Sequence, residues 1–429
     1  MISEKVLEIM DKKKSKGYQI FLVGGFVRDY ILGIENNDYD LCTNCNLNEI
    51  KELFPDFVIM KENNHRNTGV IRDENIDIEI SEFRGNTLKE DIKLRDFTIN
   101  SLAMDNTYHI YDYYGGKKDI DNKTIRLIDE SGKGLENDPL RILRAIRFVL
   151  KYNFEIDNET KNLIISKSNL LDNVAKERIL KELDSIIVLN NPQKYITEYK
   201  EVFSIIIPSL SKAIGFNQNN PNHIYDVFEH TMKVIENIEN NVILRYAALF
   251  HDLGKPFTYT KDENNIGHFY GHPNISSKIF LDFANEYKMD NKRASLINLL
   301  IFNHDNKFST RRYKIKSNLS KIGIENIDLL FKLKEADIKA QNPEKINEKL
   351  LELEYVKNRY NEIIHENPCL RIKDLDINGY DLIEVGIEER QIGLILRDLL
   401  DLVINEEINN NKEELIEYVL NNYLNTMHI

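Results

Sequence analysis

The stretch Ile20-Phe21-Leu22-Val23-Gly24-Gly25-Phe26-Val27-Arg28-Asp29-Tyr30-Ile31-Leu32-Gly33, followed by Asn37-Asp38-Tyr39-Asp40-Leu41, decides how this chain is read. Residues 20–23 are an apolar run of buried-strand length. Gly24-Gly25 allows a sharp turn and a close approach of backbone to a ligand. Residues 26–32 have helical periodicity, and Gly33 stops it. A helix start with Arg28 one turn in suits a triphosphate. Asp38 and Asp40 stand two apart, so on a strand both carboxylates face one side, the way a pair of Mg²⁺ ions is held. Asp-x-Asp is also common in turns; the Gly-Gly turn and Arg28 upstream favour the site. A third carboxylate, Glu79, lies on the strand-like run 76–80. It joins the pair if that run neighbours the Asp38/Asp40 strand, and is otherwise an exposed strand residue.

At 429 residues, two to four domains are expected. The hydrophobic share of 42% suffices for ordinary cores. No apolar run approaches membrane-span length, which argues against a membrane protein. The first residues lack a signal-peptide layout. The three cysteines, Cys42, Cys45 and Cys369, argue for a reducing compartment, so the expected location is cytoplasmic. Cys42 and Cys45 form a lone C-x-x-C, read as incidental. A net charge of −13 argues against non-specific coating of nucleic acid but not against local basic tracks. Lys12 to Lys14, Lys117-Lys118, and Arg311-Arg312 through Lys316 are either such tracks or solvated surface.

Along the chain, residues 3–14 read as an amphipathic helix. The runs 57–60, 69–72, 76–80, 102–104 and 109–111 read as short strands among helices. From Asp138 onward helical spacing dominates, with breaks at Asn190-Asn191-Pro192, at 217–222 and at Asn342-Pro343. The expected fold is an α+β head, a mixed sheet with helices, followed by all-α neck, a further helical domain and tail. The divisions are 1–125 for the head, 126–215 for the neck and body, 216–345 for the next helical domain and 346–429 for the tail.

Two further motifs extend the head chemistry. In Arg95-Asp96-Phe97-Thr98-Ile99-Asn100, a cation and an amide about one turn apart suit a triphosphate and a ribose hydroxyl; alone it would be a helix start capped by Asp96. In Asp138-Pro139-Leu140-Arg141, Asp138 reads as a helix cap with Pro139 at the first helical position. Asp138 and Arg141 also share one face. An acceptor beside a donor fork can read the edge of C or A and reject G and U, with no nucleic-acid template.

Together these stretches resemble the class II tRNA nucleotidyltransferases, which share a superfamily with bacterial poly(A) polymerases. Residues 22–29 with 38–40 resemble their first motif, 95–100 the second, 112–120 the third, 137–141 the amino-acid template, 175–183 the neck signature, and 378–393 the C-terminal part. The resemblance implies addition of CCA, or only CC, to tRNA 3′ ends from CTP and ATP. In this reading Asp38, Asp40 and Glu79 are catalytic, and Asp38 and Asp40 hold Mg²⁺. Gly24, Gly25, Arg28, Arg95, Asp96, Asn100, Asp138, Arg141, Arg144 and Arg147 bind nucleotide. Three departures stand out. Leu94 replaces a first Arg of the second motif, Asn137 replaces a Glu, and the stretch 84–95 is short, as in enzymes that add only CC and need a separate A-adding partner. A poly(A) polymerase is the alternative in the same chemistry, against which the acidic tail argues.

The second constellation is His230, His251-Asp252 and Asp337. Imidazole and carboxylate ligands on three helices suit Mn²⁺, Ni²⁺, Fe²⁺, Zn²⁺ or Mg²⁺, and His272 and His304 offer a second metal. The order His, His-Asp, Asp resembles the HD phosphohydrolase superfamily. It implies phosphatase or phosphodiesterase activity, or a degenerate helical spacer. The chain would then be a tRNA nucleotidyltransferase with a fused HD domain, or chiefly an HD phosphohydrolase with a tRNA-binding head.

Overall fold

The computed structural model describes residues 2–63, 66–73 and 76–424. It divides into two compact units, Met1–Ile206 and Ile207–Ile429.

The first unit is built on a seven-stranded mixed sheet. Its strands are β1 (Ile20–Val23), β2 (Tyr39–Thr43), β3 (Val58–Asn63), β4 (Arg66–Asp73), β5 (Ile76–Glu82), β6 (Leu102–Met104) and β7 (Ile110–Asp112). Their order is β3-β4-β5-β2-β1-β6-β7. Only β2 and β5 run parallel; the other neighbours are antiparallel. The parallel register sets Asp40 opposite Glu79. Tyr39 and Leu41 on β2 and their partners Ile78 and Ile80 on β5 are all buried, which pins that register, because a one-residue slip would exchange them with Asp40 and Glu79.

The first helix, Glu4–Lys14, is capped by Ser3, whose side chain accepts from Val6 N. The helix after β1 is Gly25–Ile31, and Gly33 follows at φ +69°. Head and neck are continuous within this unit. Thr124–Ile125 pairs in parallel with Glu155–Ile156, and Phe97 bridges to Leu127.

Among the described residues the second unit is helical apart from a hairpin of Thr260–Lys261 and Gly267–His268. Asn342 caps the helix Pro343–His365 and Pro343 opens it. The expected division at 345/346 therefore falls inside that helix's first turn. Among the described residues no helix is long and apolar enough to cross a membrane.

Two of the basic patches are largely neutralised or interior. Lys13 is fully buried, its Nζ 3.1 Å from Cys45 Sγ and 3.2 Å from Glu49 O. Arg312 pairs with Glu366 and Glu406, and Lys316 with Glu406.

Candidate functional sites

A cavity of about 1330 Å³ lies within the first unit, and Asp38, Asp40 and Glu79 all line it. Asp38 immediately precedes β2 and is exposed, while Asp40 is half-buried within the strand. Gly24 has φ +69° and ψ −125°. A Cβ there would lie 3.0 Å from Arg95 Nη1 and 4.0 Å from Asp40 Oδ2, so only glycine leaves the gap between that cation and that acid open.

The helix Arg141–Tyr152 supplies the opposite wall. Its apolar stripe, including Ile142, Leu143, Ala145, Ile146 and Val149, is buried. Its other stripe brings Arg141, Arg144, Arg147 and Lys151 to the cavity at spacings of three or four residues. Lys151 is one turn beyond the expected residues and shares their spacing. Arg144 Nη2 pairs with Asp96 at 2.5 Å, Arg147 Nε with Glu182 at 2.7 Å, and Arg141 Nη2 donates to Leu94 O at 2.8 Å. Gly134 makes room for Arg141, since a Cβ would meet Nη1 at 2.7 Å. Asp138 also lines the cavity, with Arg178 Nη2 at 3.3 Å from its Oδ1.

Several residues differ from their sequence reading. Asp138 ends the short helix Lys133–Asn137 and makes no side-chain cap; the next helix starts at Arg141, after Leu140. Asp96 caps no helix through its side chain either. Its Oδ1 accepts from Phe97 N and Asn100 Nδ2. Arg28 is buried, donating to Asp29 and to Asn100 Oδ1, with its guanidinium 4.4 Å from the Tyr152 ring. Arg28 and Asn100 thus hold each other as well as lining the cavity. Asp29 accepts in turn from Tyr152 Oη and Asn36 Nδ2, and Asn36 Oδ1 accepts from Asp38 N. That chain of bonds ties the loop before Asp38 to the neck helix.

The short stretch 84–95 is a capped helix, Leu88–Lys93, rather than a bare loop. Asp91 in it is fully buried and pairs with Arg84 at 3.1 Å and Arg95 at 3.3 Å, both of which line the cavity. Burial opposes ionisation of Asp91, yet Arg95 and Arg84 hold its carboxyl below the usual range. Asp96 is likewise lowered against its burial, by Arg144 and by bonds from Asn100 and Phe97. A depressed folded-state value gives stability that is present above the ordinary carboxylate value and is lost as pH falls through the folded one. Thermal melts should therefore show this unit weakening below about pH 4. Asp91→Ala should lower its stability by about 3–5 kcal/mol, because two guanidinium groups lose a buried partner; a melt at neutral pH unchanged from the wild type would refute this.

In the second unit, His230, His251 and Asp252 bring one ligand atom each within 4.8 Å of one another, as do Asp252, His272 and His304. The helix Val242–Phe250 delivers His251 and Asp252 at its end. Asp252 lies between the groups. Its Oδ2 is 3.2 Å from both His230 Nε2 and His251 Nε2, and its Oδ1 is 3.3 Å from His272 Nε2 and 3.5 Å from His304 Nε2. Asp337 Oδ1 is 3.1 Å from His230 Nε2.

Each of the four imidazoles turns Nδ1 to a backbone carbonyl: His230 to Ala340, His251 to Ala248, His272 to Phe269 and His304 to Ile301. A carbonyl only accepts, so Nδ1 carries the proton and Nε2 is left for a cation. The Nε2 atoms of His272 and His304 are 3.1 Å apart, which two lone pairs tolerate poorly without a cation between them. Burial works against charge on His230, but Asp252 and Asp337 carry it up to about 9; a metal ion would take the place of that proton. The donor set therefore fits divalent cations, which His230, His251, Asp252 and Asp337 on one side and Asp252, His272 and His304 on the other could hold.

The fold and these two centres define a mixed-sheet head with an acid-lined cavity, followed by a helical domain with a buried His/Asp cluster. Comparison with known families agrees. Residues 20–87 and 84–126 match the Poly A polymerase head domain, 153–213 the probable RNA and SrmB-binding site of polymerase A, and 222–357 the HD domain. The chain is thus similar to a Poly A polymerase head domain over its first part and to an HD domain further on.

Among curated proteins, the CC-adding tRNA nucleotidyltransferase of Shouchella clausii is 37% identical over 171 residues, 40% of this chain and 45% of that protein. The CCA-adding enzyme of Staphylococcus epidermidis is 34% identical over 206 residues, 44% of this chain and 51% of that protein. The chain thus matches about half the length of these relatives. Among solved structures, the Bacillus stearothermophilus CCA-adding enzyme in complex with CTP superposes with a TM-score of 0.69 at 21% identity, covering 99% of this chain and 98% of that one. The Thermotoga maritima CCA-adding enzyme complexed with tRNA has a TM-score of 0.58 at 22% identity, covering 98% and 96%. At those identities the likeness concerns the fold.

Proposed function

We propose that this chain is a tRNA 3′-terminal nucleotidyltransferase that adds CCA from CTP and ATP. One observation carries the reading: the acids Asp38, Asp40 and Glu79 and the base-reading pair Asp138 and Arg141 line a single cavity. In this reading Asp38 and Asp40 hold divalent cations, Mg²⁺ in a cell, which when bound supply Lewis-acid stabilisation of the α-phosphate and pyrophosphate oxygens. Glu79 lies across the strand pair, where it can take a proton from the attacking 3′-hydroxyl. Arg95 and the cationic stripe of the neck helix bind the triphosphate. Asp138 accepts from the exocyclic amine of C or A, and Arg141, seated by Gly134 and Leu94 O, donates to the ring nitrogen. The free thiols suit a cytoplasmic setting.

Arg141→Ala should cut CMP incorporation about ten- to a hundredfold and raise the relative use of UTP, since one hydrogen-bonding arm of base choice is gone. Unchanged discrimination between CTP and UTP would remove Arg141 from base reading.

A second reading, addition of CC alone, is favoured by the stretch 84–95. Asp91 locks it into a short helix instead of leaving a long mobile segment. Incubating the protein with tRNA ending at the discriminator base, CTP and ATP, then sequencing the 3′ ends, separates the two. Ends at CCA support the first reading, and ends halted at CC with ATP present support the second. Absence of any addition overturns both.

For the second unit we propose a metal-dependent phosphohydrolase centre. His230, His251, Asp252 and Asp337 would hold one ion, and Asp252, His272 and His304 another. When bound, the metal supplies an activated water for attack on phosphorus.

A further inference from the structure

The loop before the helix Val227–Asn237 carries a fifth imidazole, His223. Its ring stands edge-on to that of His230, with centroids 5.2 Å apart and planes at 88°. It belongs to neither group of metal-ligating residues. Unlike the four liganding imidazoles, whose Nδ1 atoms each reach a carbonyl, His223 has a buried Nδ1 with no hydrogen-bond partner among the described residues. Such an orphan costs about 1–3 kcal/mol, and nearly all buried polar groups are paired. An unpaired ring nitrogen beside a metal-ligating cluster is most economically explained by a partner that comes with the ligand.

We propose that His223 is a substrate-contacting residue of the HD centre, donating a ring hydrogen bond to a phosphate oxygen of the bound substrate. The chemistry agrees. A neutral imidazole keeps one N–H that it can donate. The ring stands against His230, one of the residues that would hold an ion, so a phosphoryl group bound there would come near it. A neutral donor there stabilises phosphate charge without competing for metal. The inference rests on the phosphohydrolase reading of this unit.

The test uses the full-length protein loaded with Mn²⁺, counted by elemental analysis and titrated calorimetrically with inorganic phosphate. His223→Phe keeps the edge-on packing and removes the N–H; His223→Asn keeps a donor. Both should retain the wild-type Mn²⁺ count. His223→Phe should bind phosphate about ten- to a hundredfold more weakly, as expected for loss of a hydrogen bond to a charged group, and His223→Asn should recover most of the affinity. Wild-type phosphate affinity in His223→Phe would overturn the inference, as would loss of Mn²⁺ from either variant. If the loaded wild-type protein binds no phosphate, the phosphohydrolase reading falls and the role of His223 with it. That outcome is distinct from a wild type that binds phosphate and a Phe variant that binds it equally well.

Discussion

Asp40→Asn is expected to reduce CMP incorporation into tRNA by about a thousandfold or more while leaving the fold intact. Asn keeps the shape of the side chain on β2 and removes its charge. In the proposed reading Asp40 is a ligand to the cations that stabilise the transferring phosphoryl group, an interaction made fully only in the transition state. Losing one preorganised electrostatic partner costs about 10²–10³ in rate in comparable sites, and a direct ligand lies at or above the upper end. The residue is half-buried at the cavity wall and no part of the apolar core, so thermal stability should change by no more than about 1 kcal/mol. Asp38→Asn should behave alike, since Asp38 faces the same cavity. Incorporation within about tenfold of wild type in both variants would remove the acid pair from the mechanism.

In the proposed reading, Asp252→Asn is expected to abolish metal binding by both His/Asp groups of the second unit. Its two carboxylate oxygens address different pairs of imidazoles, Oδ2 toward His230 and His251 and Oδ1 toward His272 and His304. Loss of one charge therefore weakens both positions. His304→Ala, by contrast, touches only one group and should leave one ion bound. Second-shell changes alone cost ten- to a hundredfold in metal affinity, so removal of a ligand common to both groups should cost about a hundredfold or more. Elemental analysis after dialysis reads the difference directly. Full metal retention in Asp252→Asn, or equal losses in the two variants, would refute a role for Asp252 in both groups. Phosphodiesterase activity that survives Asp252→Asn would separate any hydrolysis from this centre.

Much of both centres was legible in the sequence because local rules place those residues. A strand–Gly-Gly–helix turn followed by Asp-x-Asp is a short-range pattern. So is a His-Asp pair at the end of an apolar helix. The Arg141–Tyr152 helix announces its cationic stripe by three- and four-residue spacing, and the same spacing carried one turn further reaches Lys151. The residues that escaped notice act over longer range. Asp91 reads as an ordinary acid in a capped helix, yet it holds two cavity arginines. Asp29 reads as a motif neighbour of Arg28, yet it joins Tyr152, Asn36 and Arg28. His223 looks like a loop histidine until its ring is found against His230.

By itself the sequence determined the type and order of the elements, the acids in and before β2 and the histidines and aspartates that form the second unit's cluster, because hydrophobic period, glycine conformation and residue type are properties of short segments. Only the tertiary structure decided which of these meet. The parallel pairing of β2 with β5 sets Glu79 opposite Asp40. Packing of the neck helix in the first unit turns Asp138 and Arg141 toward the same cavity, and Asp252, beside its neighbour His251, acquires the imidazoles of His230, His272 and His304 from other helices of the chain. Strand order, register and helix packing are settled by burial of apolar faces over long sequence distances, which no local pattern encodes.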